Sequence, residues 1–249
     1  MARNDLSSRA KSLGINWEEK IIVALDFDHT DEMDRFVSRL KKQIQYVKVG
    51  MQLFYAEGPP LVAKLLDRGL KVFLDLKIHD IPNTASKSAL QLAKMGVQMI
   101  TVHASGGIAM IRAVHESVHS IEGTPPKILA VTQLTSISPQ ILNDELKVSG
   151  DLSSHVLHLA KLAQHSGADG VIASGLEVSL LRQQLPDPFL IIIPGVRMNP
   201  LETQDQIRVV TPKEAFRSGA NAIVVGRELT KSPNPELFFE QLMQHLEAI

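Results

Sequence analysis

Lys71-Val72-Phe73-Leu74-Asp75-Leu76-Lys77-Ile78-His79-Asp80 begins as a buried β-strand and ends in charge. Val72, Phe73 and Leu74 are the β-branched and apolar residues that pack well in a sheet, yet the run continues into Asp75, Lys77 and Asp80. Side chains alternate across a strand, so Asp75 and Lys77, two apart, project from one face with their charged ends together. Taking such a pair out of water costs several kcal/mol per ion, and apolar residues of similar volume are often at least as stabilising. Charges placed there point to chemistry. The plainer alternative is an ion pair that merely closes a strand.

Seven further apolar runs share the spacing of this one: Ile21–Phe27, Tyr46–Met51, Val97–Ala104, Lys127–Leu134, Gly170–Ser174, Phe189–Val196 and Ala222–Gly226. Between them lie segments with helical periodicity, such as Met33, Phe36, Val37 and Leu40, or Leu152, Val156, Leu159, Ala160 and Ala163. Glu236 to Ile249 reads as a last amphipathic helix. Strand and helix alternating eight times within 249 residues predict an α/β fold, a (β/α)₈ TIM barrel, in preference to a doubly wound open sheet. No linker divides the chain, so residues 1–20 are expected to be an N-terminal extension and residues 21–249 a single catalytic barrel domain.

Composition narrows the functions. A formal net charge of −1, with Lys and Arg scattered, gives no basic stripe for a nucleic-acid backbone. The chain has no cysteine, which excludes disulfides, thiolate metal sites and cysteine nucleophiles and fits a cytoplasmic enzyme. Met1 to Lys20 carry no apolar core of a signal peptide, and no apolar run is long enough to span a bilayer, so neither export nor a membrane partner is expected.

In a (β/α)₈ barrel the active site forms where strands end and βα loops begin. The polar residues at those ends are Asp26, Lys48, the Asp75–Lys77 pair, His103, Thr135 and Ser136, Arg197, and Gly226 with Arg227. The turns Pro194-Gly195-Val196-Arg197 and Gly226-Arg227 follow runs seven and eight, where such barrels often bind phosphate. Glycine lets main-chain N–H groups approach the oxygens, and a guanidinium binds them through paired hydrogen bonds. Met198 to Thr211, with Gln204, Asp205 and Gln206, is longer than an ordinary βα loop and reads as a lid or as a surface loop. His115 and His119 have the i, i+4 spacing of a helical metal pair, but without a nearby carboxylate motif they read as a solvated helix face, and no metal is expected. His103 fits either a second donor behind the pocket or a satisfied strand-end histidine, and Gly106-Gly107 is a weak signal for anion binding at a helix start.

These residues together resemble the orotidine 5′-phosphate decarboxylase family in its bacterial form. The likeness runs from about Ile21 to Thr230, through Val23-Ala24-Leu25-Asp26, Val47-Lys48-Val49-Gly50, Asp75-Leu76-Lys77-Ile78-His79-Asp80-Ile81-Pro82-Asn83-Thr84, Leu134-Thr135-Ser136, Pro194-Gly195-Val196-Arg197, Asp205-Gln206 and Val225-Gly226-Arg227. It implies decarboxylation of orotidine 5′-monophosphate to UMP in pyrimidine biosynthesis by a homodimeric barrel that needs no metal and no organic cofactor. It also implies an alternating charge array of Lys48, Asp75, Lys77 and Asp80, with Lys77 as proton donor and with Asp80 and Thr84 reaching into the partner subunit's site. Asp26, Lys48 and Thr84 would meet the ribose, Thr135 and Ser136 the pyrimidine, and Arg197, Gln206, Gly226 and Arg227 the phosphate. The pattern departs at one place, where Thr203-Gln204 stand before Asp205-Gln206 and bacterial members often carry glycine.

Asp26, Lys48, Asp75, Lys77 and Asp80 sum to −1, so an anionic substrate must draw its attraction from Arg197 and Arg227. Two rival functions share the motif. One is a Mg²⁺-dependent sugar-phosphate decarboxylase or aldolase of the same superfamily, which would want an acidic residue where Lys48 stands. The other is a silent barrel that only binds phosphorylated ligands, for which so costly a charge array is unnecessary.

Overall fold

Ile22 and Ala24 face one way and Ile21 and Val23 the other, and this alternation builds two separate cores. The computed structural model describes residues 16–40, 43–198 and 208–247. Its strands are β1 (Ile21–Ala24), β2 (Tyr46–Gly50), β3 (Lys71–Ile78), β4 (Met99–His103), β5 (Lys127–Val131), β6 (Gly170–Ile172), β7 (Leu190–Ile193) and β8 (Ala222–Val225). All pair in parallel and in chain order, and β8 returns to β1 to close the barrel. The expected (β/α)₈ architecture is what the chain adopts.

The inner core fills the barrel with Ile22, Tyr46, Phe73, Leu129, Ile192 and Val224, leaving no pore beneath the site. The outer core packs Val47, Val49, Leu74, Ile100 and Val102 against the surrounding helices. Burial on both faces explains why the strands read as continuous apolar runs rather than alternating ones. Met33, Phe36, Val37 and Leu40 are all buried in the helix Thr30–Leu40, as are Leu152, Val156, Leu159, Ala160 and Ala163 in Leu152–His165. Asp151 caps the latter by accepting from Ser154 N–H at 2.8 Å. The final helix spans Pro235–Glu247. Packing begins with the short helix Trp17–Lys20, whose buried Trp17 meets Phe216 edge-on at 4.9 Å.

Several strands stop earlier than their apolar runs. β1 ends at Ala24 rather than Phe27, β5 at Val131 rather than Leu134, and β7 at Ile193 rather than Val196. Leu25 and Val196 stay buried under the helices, so hydrophobicity outlasts the ladder. The chain leaves the sheet there to form the loops around the barrel mouth.

β3 departs from regularity next to its charges. Leu74 pairs with Ile100, but the next pairing is Ile78 with Val102, so four steps on β3 match two on β4. The surplus bulges, and Lys77 takes a left-handed conformation at φ 51°. A non-glycine residue there costs roughly 1–2 kcal/mol.

Further contacts fix the loops at the mouth. Arg197 N–H donates to Val210 O at 3.0 Å, and Met198 N–H to the Glu228 carboxylate at 3.0 Å, so both ends of residues 199–207 are tied to the barrel. The helix Pro212–Arg217 opens with a capping box between Thr211 and Glu214. Buried Arg208 binds buried Glu177 through Nη1 and donates from Nη2 to Leu134 O at 3.1 Å, joining the loops after β5, β6 and β7. Burial raises the Glu177 carboxyl pKa, opposed by Arg208 and by hydrogen bonds at Ser174.

This pair yields a stability prediction. Arg208→Met strands a buried carboxylate and should lower the unfolding free energy in urea by about 3–5 kcal/mol, whereas Glu177→Met with Arg208→Met should recover most of that loss.

Candidate active site

Strand parity aims Lys48, Asp75 and Lys77 into the barrel mouth. They line a cleft of about 320 Å³ with Asp26, Thr135, Ser136, Arg197, Gly226 and Arg227. Phe73, Ile172 and Val224 form its apolar floor. Residues from seven of the eight strand ends thus meet at one opening, and most of the predicted site is assembled within this one chain.

Asp75 is the centre of the polar wall. Its Oδ2 accepts from Lys77 Nζ at 2.9 Å and lies 3.6 Å from Lys48 Nζ. Its Oδ1 accepts from Thr101 Oγ1 at 3.0 Å. Lys48 turns its ammonium also to Asp26 Oδ1, 3.2 Å away. Burial alone would raise the Asp75 pKa, but Lys48, Lys77 and the Thr101 hydroxyl outweigh it and hold the carboxyl below its ordinary range. Gly50 makes room for this arrangement. A Cβ there would stand 3.2 Å from Lys48 Nζ and 3.4 Å from Asp26 Oδ1.

The cleft is also lined by Gly195, Arg197, Gly226 and Arg227. Gly195 adopts φ 74°, which favours glycine. Arg197 is buried, with Nη1 donating to Val196 O at 3.0 Å, so its guanidinium is held against the loop that presents it. A Cβ on Gly226 would point toward Ala24 and Asp26, into the cleft. Two arginines and an ammonium–carboxylate array lining one cleft suit a ligand that carries an anionic group.

Asp80 and Thr84 do not line this cleft. Both are exposed, and Asp80 Oδ1 accepts from Ile81 N–H at 2.7 Å. Ile81 between them is 67% exposed. Asp205 and Gln206 lie outside the described residues.

His103 is half-buried beside His79, with ring centroids 5.2 Å apart. Burial, then His79 and Lys77, lower its pKa against the pull of Asp75. His119 Nδ1 lies 2.8 Å from His115 O, and among the described residues no group of three His, Cys, Asp or Glu is placed to hold a metal. Gly106 stands at a helix entry where a Cβ would strike Met110.

Sequence reasoning missed four contributors: Thr101, Gly50, Glu177 and Arg208. Thr101 sits two residues before His103 on the same inward face of β4, and Glu177 follows β6, the one run assigned no polar residue, so strand-end position was a usable signal for both.

The family model for the orotidine 5′-phosphate decarboxylase / HUMPS family matches residues 19–241. A protein from Lactobacillus delbrueckii subsp. bulgaricus named orotidine 5′-phosphate decarboxylase is 45% identical over 230 residues, covering 90% of this chain and 95% of the relative. A Geobacillus protein of the same name is 44% identical over 231 residues, covering 91% and 96%. The crystal structure of orotidine 5′-phosphate decarboxylase from Lactobacillus acidophilus is similar with a TM-score of 0.80 and 42% identity, covering 90% of this chain and 97% of that one.

The electrostatics of Asp75 carry a pH prediction. A carboxyl with a depressed folded pKa adds stability above its ordinary range near pH 4 and loses it as pH falls through the depressed value. Wild type should therefore exceed Asp75→Asn in urea-unfolding free energy at pH 7, with the gap closing as pH is taken below about 4. A gap that stays constant across that window would contradict the ionised assignment.

Proposed function

The chain belongs to the orotidine 5′-phosphate decarboxylase / HUMPS family, and on that premise we propose that it decarboxylates orotidine 5′-monophosphate to UMP, a step of pyrimidine biosynthesis. The observation that carries the reading is the Lys48–Asp75–Lys77 array in a cleft that Arg197 and Arg227 also line.

Breaking the bond between C6 and the carboxylate leaves an electron pair in an sp² orbital in the ring plane, with no adjacent group to accept it. The protein answers with preorganised charge in a site that excludes water. Lys77 faces C6 as a cation, stabilises the developing carbanion, and then gives it the proton that completes UMP as CO₂ departs. Asp75 stands beside the leaving carboxylate and, with Lys48, aims the Lys77 ammonium. Asp26 and Lys48 meet the ribose hydroxyls, Thr135 and Ser136 the pyrimidine, and Arg197, Gln206, Gly226 and Arg227 the phosphate. Binding energy from that remote phosphate is available to drive desolvation at C6.

The working unit is a cytoplasmic homodimer in which Asp80 and Thr84 complete the partner's site. Their exposure, next to a largely exposed Ile81, supports this division. A Mg²⁺-dependent sugar-phosphate reaction fits less well, because the Lys48 ammonium already lies 3.2 Å from Asp26 and 3.6 Å from Asp75, where a divalent cation would compete with it.

Purified protein should clear orotidylate absorbance with EDTA present, and Lys77→Ala should cut kcat by more than about 100-fold while still unfolding cooperatively. Activity lost on chelation, or a Lys77→Ala variant with near-normal kcat, would overturn the mechanism. Mixing equal amounts of Asp80→Ala and Lys77→Ala subunits should restore about one quarter of wild-type activity, since half the dimers then carry one intact site. No recovery after verified subunit exchange would count against shared sites.

A further inference from the structure

We propose that Thr101 is a positioning residue whose buried hydroxyl locks the main chain of Lys77 and the carboxylate of Asp75 into one rigid turn. The proposal rests on the decarboxylase reading for its kinetic consequence, while the turn itself is a property of the fold.

The bulge in β3 creates the need. Between the Leu74–Ile100 and Ile78–Val102 pairings, Asp75, Leu76 and Lys77 lie opposite Thr101 alone. Lys77 has rotated into the left-handed region, and its N–H is met by a side chain, Thr101 Oγ1, at 2.8 Å. A hydroxyl offers one proton and two lone pairs. Accepting from Lys77 N–H leaves the Thr101 proton for Asp75 Oδ1, 3.0 Å away.

The contacts close a cycle. Lys77 N–H reaches Thr101, Thr101 O–H reaches Asp75, and the other Asp75 oxygen accepts from Lys77 Nζ at 2.9 Å. Both ends of Lys77, its amide and its ammonium, are therefore referenced to one hydroxyl on the neighbouring strand. Thr101 is fully buried, so water cannot readily replace that hydroxyl. Lysine has four freely rotating carbons, and a displacement of about 1 Å at a reacting group can lower a rate about 100-fold. Holding the Lys77 backbone in its strained conformation, with Asp75 fixed to receive the ammonium, limits that freedom before substrate arrives.

Thr101→Val keeps the shape of the side chain and removes the hydroxyl, whereas Thr101→Ser keeps the hydroxyl and removes the methyl. Thr101→Val is expected to lower kcat by about 10- to 100-fold with KM within about threefold, and to abolish protection of the Lys77 amide in hydrogen exchange. Thr101→Ser should stay within about threefold of wild type in kcat and retain that protection. Should Thr101→Val fail to fold, Thr101→Ala removes the hydroxyl without pressing a second methyl against Asp75 and takes its place. Normal kcat without the hydroxyl, or Thr101→Ser falling as far as Thr101→Val, would overturn the proposal. If wild type itself does not decarboxylate orotidylate, the functional reading fails instead, and Lys77 amide exchange still decides: equal protection with and without the hydroxyl sinks the Thr101 role.

Discussion

Everything at the barrel mouth follows from keeping one buried carboxylate ionised. Burial opposes charge on Asp75, while Lys48, Lys77 and the Thr101 hydroxyl each act to hold its carboxyl below the ordinary range. Those groups come from three neighbouring strands, so the array exists only once β2, β3 and β4 pair in register. A Cβ on Gly50 would stand close against Lys48 and Asp26 and press on their side chains. Such an assembly stabilises the fold less than an apolar core of the same volume would. Its return is a fixed pair of ammonium groups whose orientation is set before any ligand binds.

The barrel separates this polar wall from what supports it. Ile22, Tyr46, Phe73, Leu129 and Ile192 close the interior from below, so the cleft opens on one face alone and its charges lie over an apolar floor. Low polarity beneath the array strengthens each electrostatic contact above it. The loops after β5, β6 and β7 are in turn bound by Arg208, which links Glu177 to the Leu134 carbonyl immediately before Thr135. Anchoring at Val210 and Glu228 serves Arg197 and Met198 in the same manner. Residues expected to contact base and phosphate are thereby mounted on loops that share buried polar ties.

Much of this was legible in the sequence because the relevant signals are periodic or local. Apolar runs marked every strand, and Met33, Phe36, Val37 and Leu40 marked a helix face that is indeed buried. Charged residues at the ends of those runs marked the cleft. What stayed hidden depends on contacts between distant residues or on backbone angles. Leu25 and Val196 are as buried as ladder residues, so composition could not tell where β1 and β7 stop. Glu177 and Arg208 stand 31 positions apart, and only their meeting in the fold makes them a buried pair. Thr101 lies within the fourth run, and nothing local in the sequence reveals that Lys77 N–H turns toward it.

That turn also separates Lys77 from Asp80, three residues on: Lys77 lines the cleft and Asp80 lies exposed outside it. A regular strand would carry Asp75, Lys77 and His79 along one face and continue the ladder. The left-handed step at Lys77 instead spends surplus residues in a bulge, keeps the Lys77 side chain at Asp75, and lets the chain leave the barrel after Ile78. Asp80 then lies outside, capped on Ile81 N–H, just before the helix Pro82–Lys94 begins. The strain of roughly 1–2 kcal/mol is of the size that one or two buried hydrogen bonds offset, and Thr101 provides two. In the proposed dimer, a single backbone irregularity therefore directs one lysine inward and one aspartate toward the neighbouring subunit.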